Sequence, residues 1–133
     1  MKGQVLYLPI YSHIRFGDPD RQGKPGMLLV SAMVSIRNVD PRTTIRLVSA
    51  DYYDSNGTRL KAYVTAPVVI RPLAAYELYV PKSDSSGGSG ASFVISWQSG
   101  DAAQPPIVEA IHAEVLGTRG LAFTTTARPI ESK

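Results

Sequence analysis

The stretch Leu28-Leu29-Val30-Ser31-Ala32-Met33-Val34-Ser35-Ile36-Arg37 decides the fold class. Leu28, Val30, Ala32, Val34 and Ile36 occupy alternate positions, with Leu29, Ser31, Met33, Ser35 and Arg37 between them. A period of two sustained this long puts one face on a core and the other mostly toward solvent, which specifies a strand. Asn38-Val39-Asp40-Pro41 then ends it with turn residues. The pattern returns at Ala91, Phe93, Ile95 and Trp97, alternating with Ser92, Val94 and Ser96.

Working outward, the chain is a series of short apolar segments separated by turn signals. Val5 to Ile14 is interrupted by Pro9, which points to a sheet edge or a bulge. The polar run from Gly17 to Gly26 reads as a loop. Ile45 to Asp54 is apolar on both faces, as a central or bulged strand would be. Asp54-Ser55-Asn56-Gly57 predicts a tight turn, and Arg59 to Val64 pairs back as a hairpin. Val68–Ile70, Tyr76–Val80 and Leu121–Ala127 read as further strands. Ile107 to Leu116 fits two patterns. Pro106, the four-residue spacing of Ile107, Ile111 and Val115, and Gly117 spell a helix, while Ile107, Glu109, Ile111, Ala113 and Val115 also alternate. The β-rich surroundings favour the strand. The expectation is an all-β, immunoglobulin-like antiparallel β-sandwich of eight or nine strands. It would be a single domain over residues 1–133, with a core from about 5 to 130 and a flexible Gly/Ser loop at 83–90.

Composition agrees and excludes several classes. The 133 residues are 44% hydrophobic and 19% charged, the balance of a globular domain and the opposite of a disordered chain. No apolar run approaches the roughly 18 residues of a membrane span, and the first twenty or so residues lack the pattern of a signal peptide. Cysteine is absent, which removes disulfides, thiolate metal sites and a Cys nucleophile. The net charge is +3, but the arginines are scattered and form no run, so nucleic-acid binding through Arg and Tyr is a distant alternative.

The segment Ser83-Asp84-Ser85-Ser86-Gly87-Gly88-Ser89-Gly90 is the most unusual. It reads either as a plain connection or as a nest of backbone N–H groups for an anion. It lacks the Gly-Lys-Ser/Thr of a phosphate loop and the spacing of a dinucleotide fingerprint. Asp51 to Gly57 invites a calcium-loop reading that fails, because tyrosines fall where carboxylates are needed. The two histidines, His13 and His112, could hold zinc only with Asp18 or Asp20 and only if their segments meet. Glu109 shares a strand face with Ile111 and Val115, where it would be partly desolvated unless an arginine met it. Of seven tyrosines some must point outward, and Tyr79, opposite the Leu78 face, is a good candidate for a binding surface.

Four stretches taken together carry a resemblance. They are Tyr7-Leu8-Pro9-Ile10-Tyr11-Ser12-His13-Ile14, Ser35-Ile36-Arg37-Asn38-Val39-Asp40-Pro41, Asp51-Tyr52-Tyr53-Asp54-Ser55-Asn56-Gly57 and Ser86-Gly87-Gly88-Ser89-Gly90-Ala91-Ser92-Phe93. The chain resembles, from about Val5 to Ile130, the bacterial domain-of-unknown-function 3124 family. Many members begin with a secretion or lipoprotein signal, so the resemblance implies an envelope (extracytoplasmic or periplasmic) location. It assigns no activity, cofactor or catalytic residue. It draws attention to His13, Asn38, Asp40, Asp51, Asp54 and the Gly-rich loop, which form a site if they gather at one end of the sandwich and are turn chemistry if they do not.

The functional expectation is a non-enzymatic binding module that presents strand-end loops or an edge strand to a protein partner in the envelope. No cofactor or metal is expected. The alternative is a small-ligand, anion or metal-binding domain using His13, Asp51, Asp54, Ser86, Gly87, Gly88, Ser89 and Gly90.

Overall fold

The computed structural model describes residues 1–133, the side chain of Leu116 excepted. The chain forms twelve strands and no helix. They are β1 (Gly3–Ile10), β2 (His13–Phe16), β3 (Gly26–Leu29), β4 (Ser31–Arg37), β5 (Ile45–Tyr53), β6 (Arg59–Ala62), β7 (Val68–Ile70), β8 (Ala75–Val80), β9 (Ala91–Gln98), β10 (Ile107–Leu116), β11 (Arg119–Thr126) and β12 (Arg128–Ser132). The larger sheet runs β12-β1-β9-β5-β6, with β7 also on β5. The smaller runs β11-β10-β4-β8, and β2 and β3 make a separate ribbon. Every pairing is antiparallel.

The core is the alternation made physical. Leu6, Leu8 and Ile10 of β1, Ile45, Leu47, Ala50 and Tyr52 of β5, and Ala91, Phe93, Ile95 and Trp97 of β9 form one buried face. Ala32, Val34 and Ile36 of β4, Leu78 and Val80 of β8, and Val108 and Ala110 of β10 form the other. Trp97 is buried with its polar atom satisfied, its Nε1–H donating to Oε1 of Gln4 at 3.0 Å. Burial of such faces is the main stabilising term of a sandwich.

The strand count exceeds the expected eight or nine for three local reasons. The first segment splits at Tyr11–Ser12 into β1 and β2, and the Leu28 segment splits at Val30 into β3 and β4. In both, the inward phase continues across the break, so periodicity alone cannot see it. The third addition is β12, an exposed five-residue strand that pairs with β1 and carries Pro129. Pro9 shows why proline was permitted in a strand that β9 and β12 flank. The β12 partners stop at Tyr7, and the Pro9 carbonyl accepts from the Thr125 hydroxyl at 2.7 Å. A strand residue's N and O share one side, so the missing N–H faces the open flank of β1. β5 is both central and bulged, with a register shift between Leu47 and Ser49 opposite β9.

Residues 107–116 are strand β10. The buried face is Val108, Ala110, His112 and Glu114 rather than the Ile107–Val115 set, because that side faces the larger sheet, whose β1 and following Tyr11 pack against it. The condition attached to Glu109, an arginine beside it, is met, although the acid on the buried phase is a different one. Glu109 faces outward beside Arg37, at 3.9 Å, while Glu114 is the buried acid and meets Lys82 at 2.7 Å.

Candidate functional site

The Gly-rich segment closes one end of the sandwich over Tyr52. The Gly88 carbonyl accepts from the Ser12 N–H at 2.9 Å, and the Gly87 carbonyl accepts from both the N–H and the hydroxyl of Ser55, at 2.9 and 3.1 Å. The Gly90 N–H donates back to the Ser55 hydroxyl. Beneath it the Tyr52 hydroxyl meets that of Ser12 at 3.2 Å, and Tyr52, Tyr63 and Phe93 pack their rings together. Burial raises the Tyr52 and Tyr63 phenols above their usual range, with the Ser12 hydroxyl opposing this at Tyr52.

Three of the segment's N–H donors are engaged within the chain. The Ser86 N–H goes to the Asp84 carboxylate, the Gly88 N–H to the Ser85 carbonyl, and the Gly90 N–H to Ser55. Two glycines have structural reasons. Gly88 has φ of +80°, and a Cβ at Gly87 would strike the Tyr52 hydroxyl.

The other expected site residues divide between structure and surface. Asp54 closes its turn, its Oδ1 accepting from the N–H groups of Asn56 and Thr58, both at 2.9 Å. Gly57 supplies the positive φ. Asp51 lies on the outer face of β5, bound to Arg59 at 3.1 Å. His13 begins β2, directly after the Ser12 that holds Gly88, and pairs with Leu29. Asn38 and Asp40 stand at the opposite end. Asn38 donates to the carbonyls of Thr43 and Ile70, and Ile70 pairs with the first residue of β5, whereas Asp54 follows its last. Asp40 accepts N–H groups of Arg42 and Thr43 on Oδ1 and of Gln104 on Oδ2. Those N–H groups, Gln104's foremost, hold its carboxyl below the usual 3.8. The motif residues therefore divide, with His13, Asp54 and the Gly-rich loop toward one end and Asn38 and Asp40 at the other.

His112 is fully buried on β10. Its Nε2 accepts the Tyr11 N–H at 3.1 Å, which assigns the ring proton to Nδ1. The ring stacks on Phe123 with 4.5 Å between centroids, and Tyr11 meets it edge-on. Burial pushes its pKa below 6.5, and the Phe123 backbone, opposite in register, offsets part of this without making a proper hydrogen bond. Among the described residues no three His, Asp or Glu are arranged to hold a metal ion.

The surfaces are more distinctive than the ends. On the smaller sheet Tyr79, Met33, Ile111 and Thr124 stand side by side across β8, β4, β10 and β11. Tyr79 is 57% exposed, Met33 37% and Ile111 40%. Ile107 and Val115 are exposed on the same face of β10. A concavity of about 170 Å³ lies between Met33, Ile111 and the Arg37–Glu109 pair. An uncovered antiparallel sheet face is ordinarily polar. Tyr79 was legible as an outward residue. Met33 was legible too, as one of the residues between the core positions of β4, but Ile111 was not, and apolar residues in the solvent phase of neighbouring strands are the signal that finds such a face.

The fold is that of an all-β antiparallel sandwich, and comparison with known proteins agrees. The family described as a protein of unknown function, DUF3124, matches residues 3–130, and the chain belongs to that family. Among curated proteins none matches. A crystal structure of Thermotoga maritima 1070 is similar over the whole of both chains, with 14% identity and a TM-score of 0.52, a likeness of fold alone.

Proposed function

We propose that the protein is a non-enzymatic binding module of the bacterial cell envelope, and that it docks a protein partner on the outer face of the β11-β10-β4-β8 sheet. The observation that carries this is the row Tyr79–Met33–Ile111, apolar and exposed where three adjacent strands ought to be polar. Apolar patches flanked by polar groups are the usual mark of protein interfaces. The Arg37–Glu109 pair and the Glu77 and Ser35 positions beside the row supply such a flank. Aromatic residues, Met and Arg are also the types enriched in interface centres.

The test is recovery of a partner from envelope extracts of the source bacterium with tagged protein. Ile111→Glu and Met33→Glu should each lose the partner while keeping the wild-type far-UV spectrum, and Arg59→Glu, on the other sheet, should keep it. A partner retained by both charged variants contradicts the reading. Light scattering of the purified wild-type protein checks whether that partner is a second copy of the chain.

A further inference from the structure

The larger sheet also has an unusual outer face. Tyr7 of β1 pairs with Val94 of β9, and Ser92 of β9 pairs with Tyr53 of β5. β9 thus forms a floor of Val94 and Ser92 with a tyrosine on either side, two residues out of step. The β5–β6 turn closes one end with Asp54, and the result is a depression of about 260 Å³. That is near the lower limit of the roughly 300–1,000 Å³ typical of small-molecule sites. It has room for one ring and little else.

Its polar groups are few and unspent. Asp54 uses Oδ1 for its own turn, and its Oδ2 has no hydrogen-bond partner among the described residues. Ser92 is only 5% exposed, and its hydroxyl makes no hydrogen bond among those residues. It lines the depression, so a ligand there can reach it. Unlike Nδ1 of His112, this hydroxyl is not sealed from solvent, so it remains open to a ligand in the depression. The nearby arginine, Arg59, is already bound to Asp51.

We infer that this depression binds one pyranose ring of a neutral glycan. A pyranose presents a C–H face and a hydroxyl edge. The tyrosine rings cover the first as amphipathic platforms. The Asp54 carboxylate accepts from the hydroxyls, and Ser92 can donate or accept. A phosphorylated or sulfated ligand would meet the Asp54 charge with Arg59 already committed. The site is on the opposite sheet from the proposed docking face and does not depend on it.

The experiment is an amide NMR titration of the whole protein with cellotetraose, chitotetraose and maltotetraose in turn, and with sorbitol as an open-chain polyol. At least one oligosaccharide should give saturable shifts confined to residues 53–57 and 90–94, with no response to sorbitol. Tyr7→Ala and Tyr53→Ala should each weaken that binding by about tenfold, and Ser92→Ala by a few fold, with spectra otherwise native. Absence of saturable shifts with all three sugars overturns the inference. So do shifts elsewhere, an equal response to sorbitol, or affinity unchanged in both tyrosine variants.

Discussion

The Tyr52 hydroxyl occupies the space in which a side chain at Gly87 would stand. A Cβ there would also lie 2.8 Å from the Tyr52 Cζ and from the Ala91 Cβ. The Gly-rich segment is thereby a lid fitted to a buried phenol, and its first inward glycine is required by packing.

This gives a coupling that can be measured by urea denaturation. Gly87→Ala should cost about 1–3 kcal/mol, as overpacking of a close-fitted site does. Tyr52→Phe loses one buried hydroxyl pair and should cost about 0.5–1.5 kcal/mol. The double variant should be more stable than the sum of the two, because removing the hydroxyl relieves part of the clash. Simple additivity would contradict the packing account.

His112 makes stability depend on mild acid. Burial holds the folded imidazole below 6.5, so as pH falls through that value the unfolded chain binds a proton that the folded chain refuses. Its contribution is whole above pH 6.5 and declines as the pH drops toward the folded value, by at most about 1.4 kcal/mol per pH unit. His112→Gln can still accept the Tyr11 N–H but does not titrate. Stability measured from pH 7.5 to 5.5 should fall for the wild type and stay level for this variant (working pH values, about two units apart). Parallel curves would contradict the assignment.

Asp40 acts lower on the scale and in the same direction. Its carboxylate is held by the N–H groups of Gln104, Arg42 and Thr43, so its stabilising effect is present above 3.8 and is lost as the pH falls through the lower folded value. Asp40→Asn would turn an NH₂ group toward one of those N–H donors. It should lower Tm by several degrees at neutral pH and flatten the acid limb of the Tm–pH curve. An unchanged acid limb would place the acid-sensitive carboxylate elsewhere.

The sequence made the class of fold legible because the alternation of β4 and β9 is uninterrupted and each buries one face. The hairpin at Asp54–Gly57 was legible because turn chemistry is local. The breaks at Tyr11–Ser12 and Val30 were not, since inward phase continues across both while the pairing partner changes. Partner identity is a non-local property. The same limit explains Glu109 and Glu114. Both alternations along β10 are plausible one residue at a time, and only the packing beneath β10 selects the phase of His112 and Glu114. Among the candidate residues, Asp54 and Gly90 do share one depression. What joins them there are Tyr7 and Tyr53, from strands whose adjacency no local pattern reveals.

The central claim is that the Tyr79–Met33–Ile111 face meets a protein partner in the envelope. Photo-crosslinking in living cells tests it most directly, with benzoylphenylalanine placed at position 33 or 111 and, as the opposing control, at position 61 of β6. A discrete adduct from 33 and 111 and none from 61 is the expected result. No adduct from 33 or 111, or the same adduct from all three positions, would contradict it.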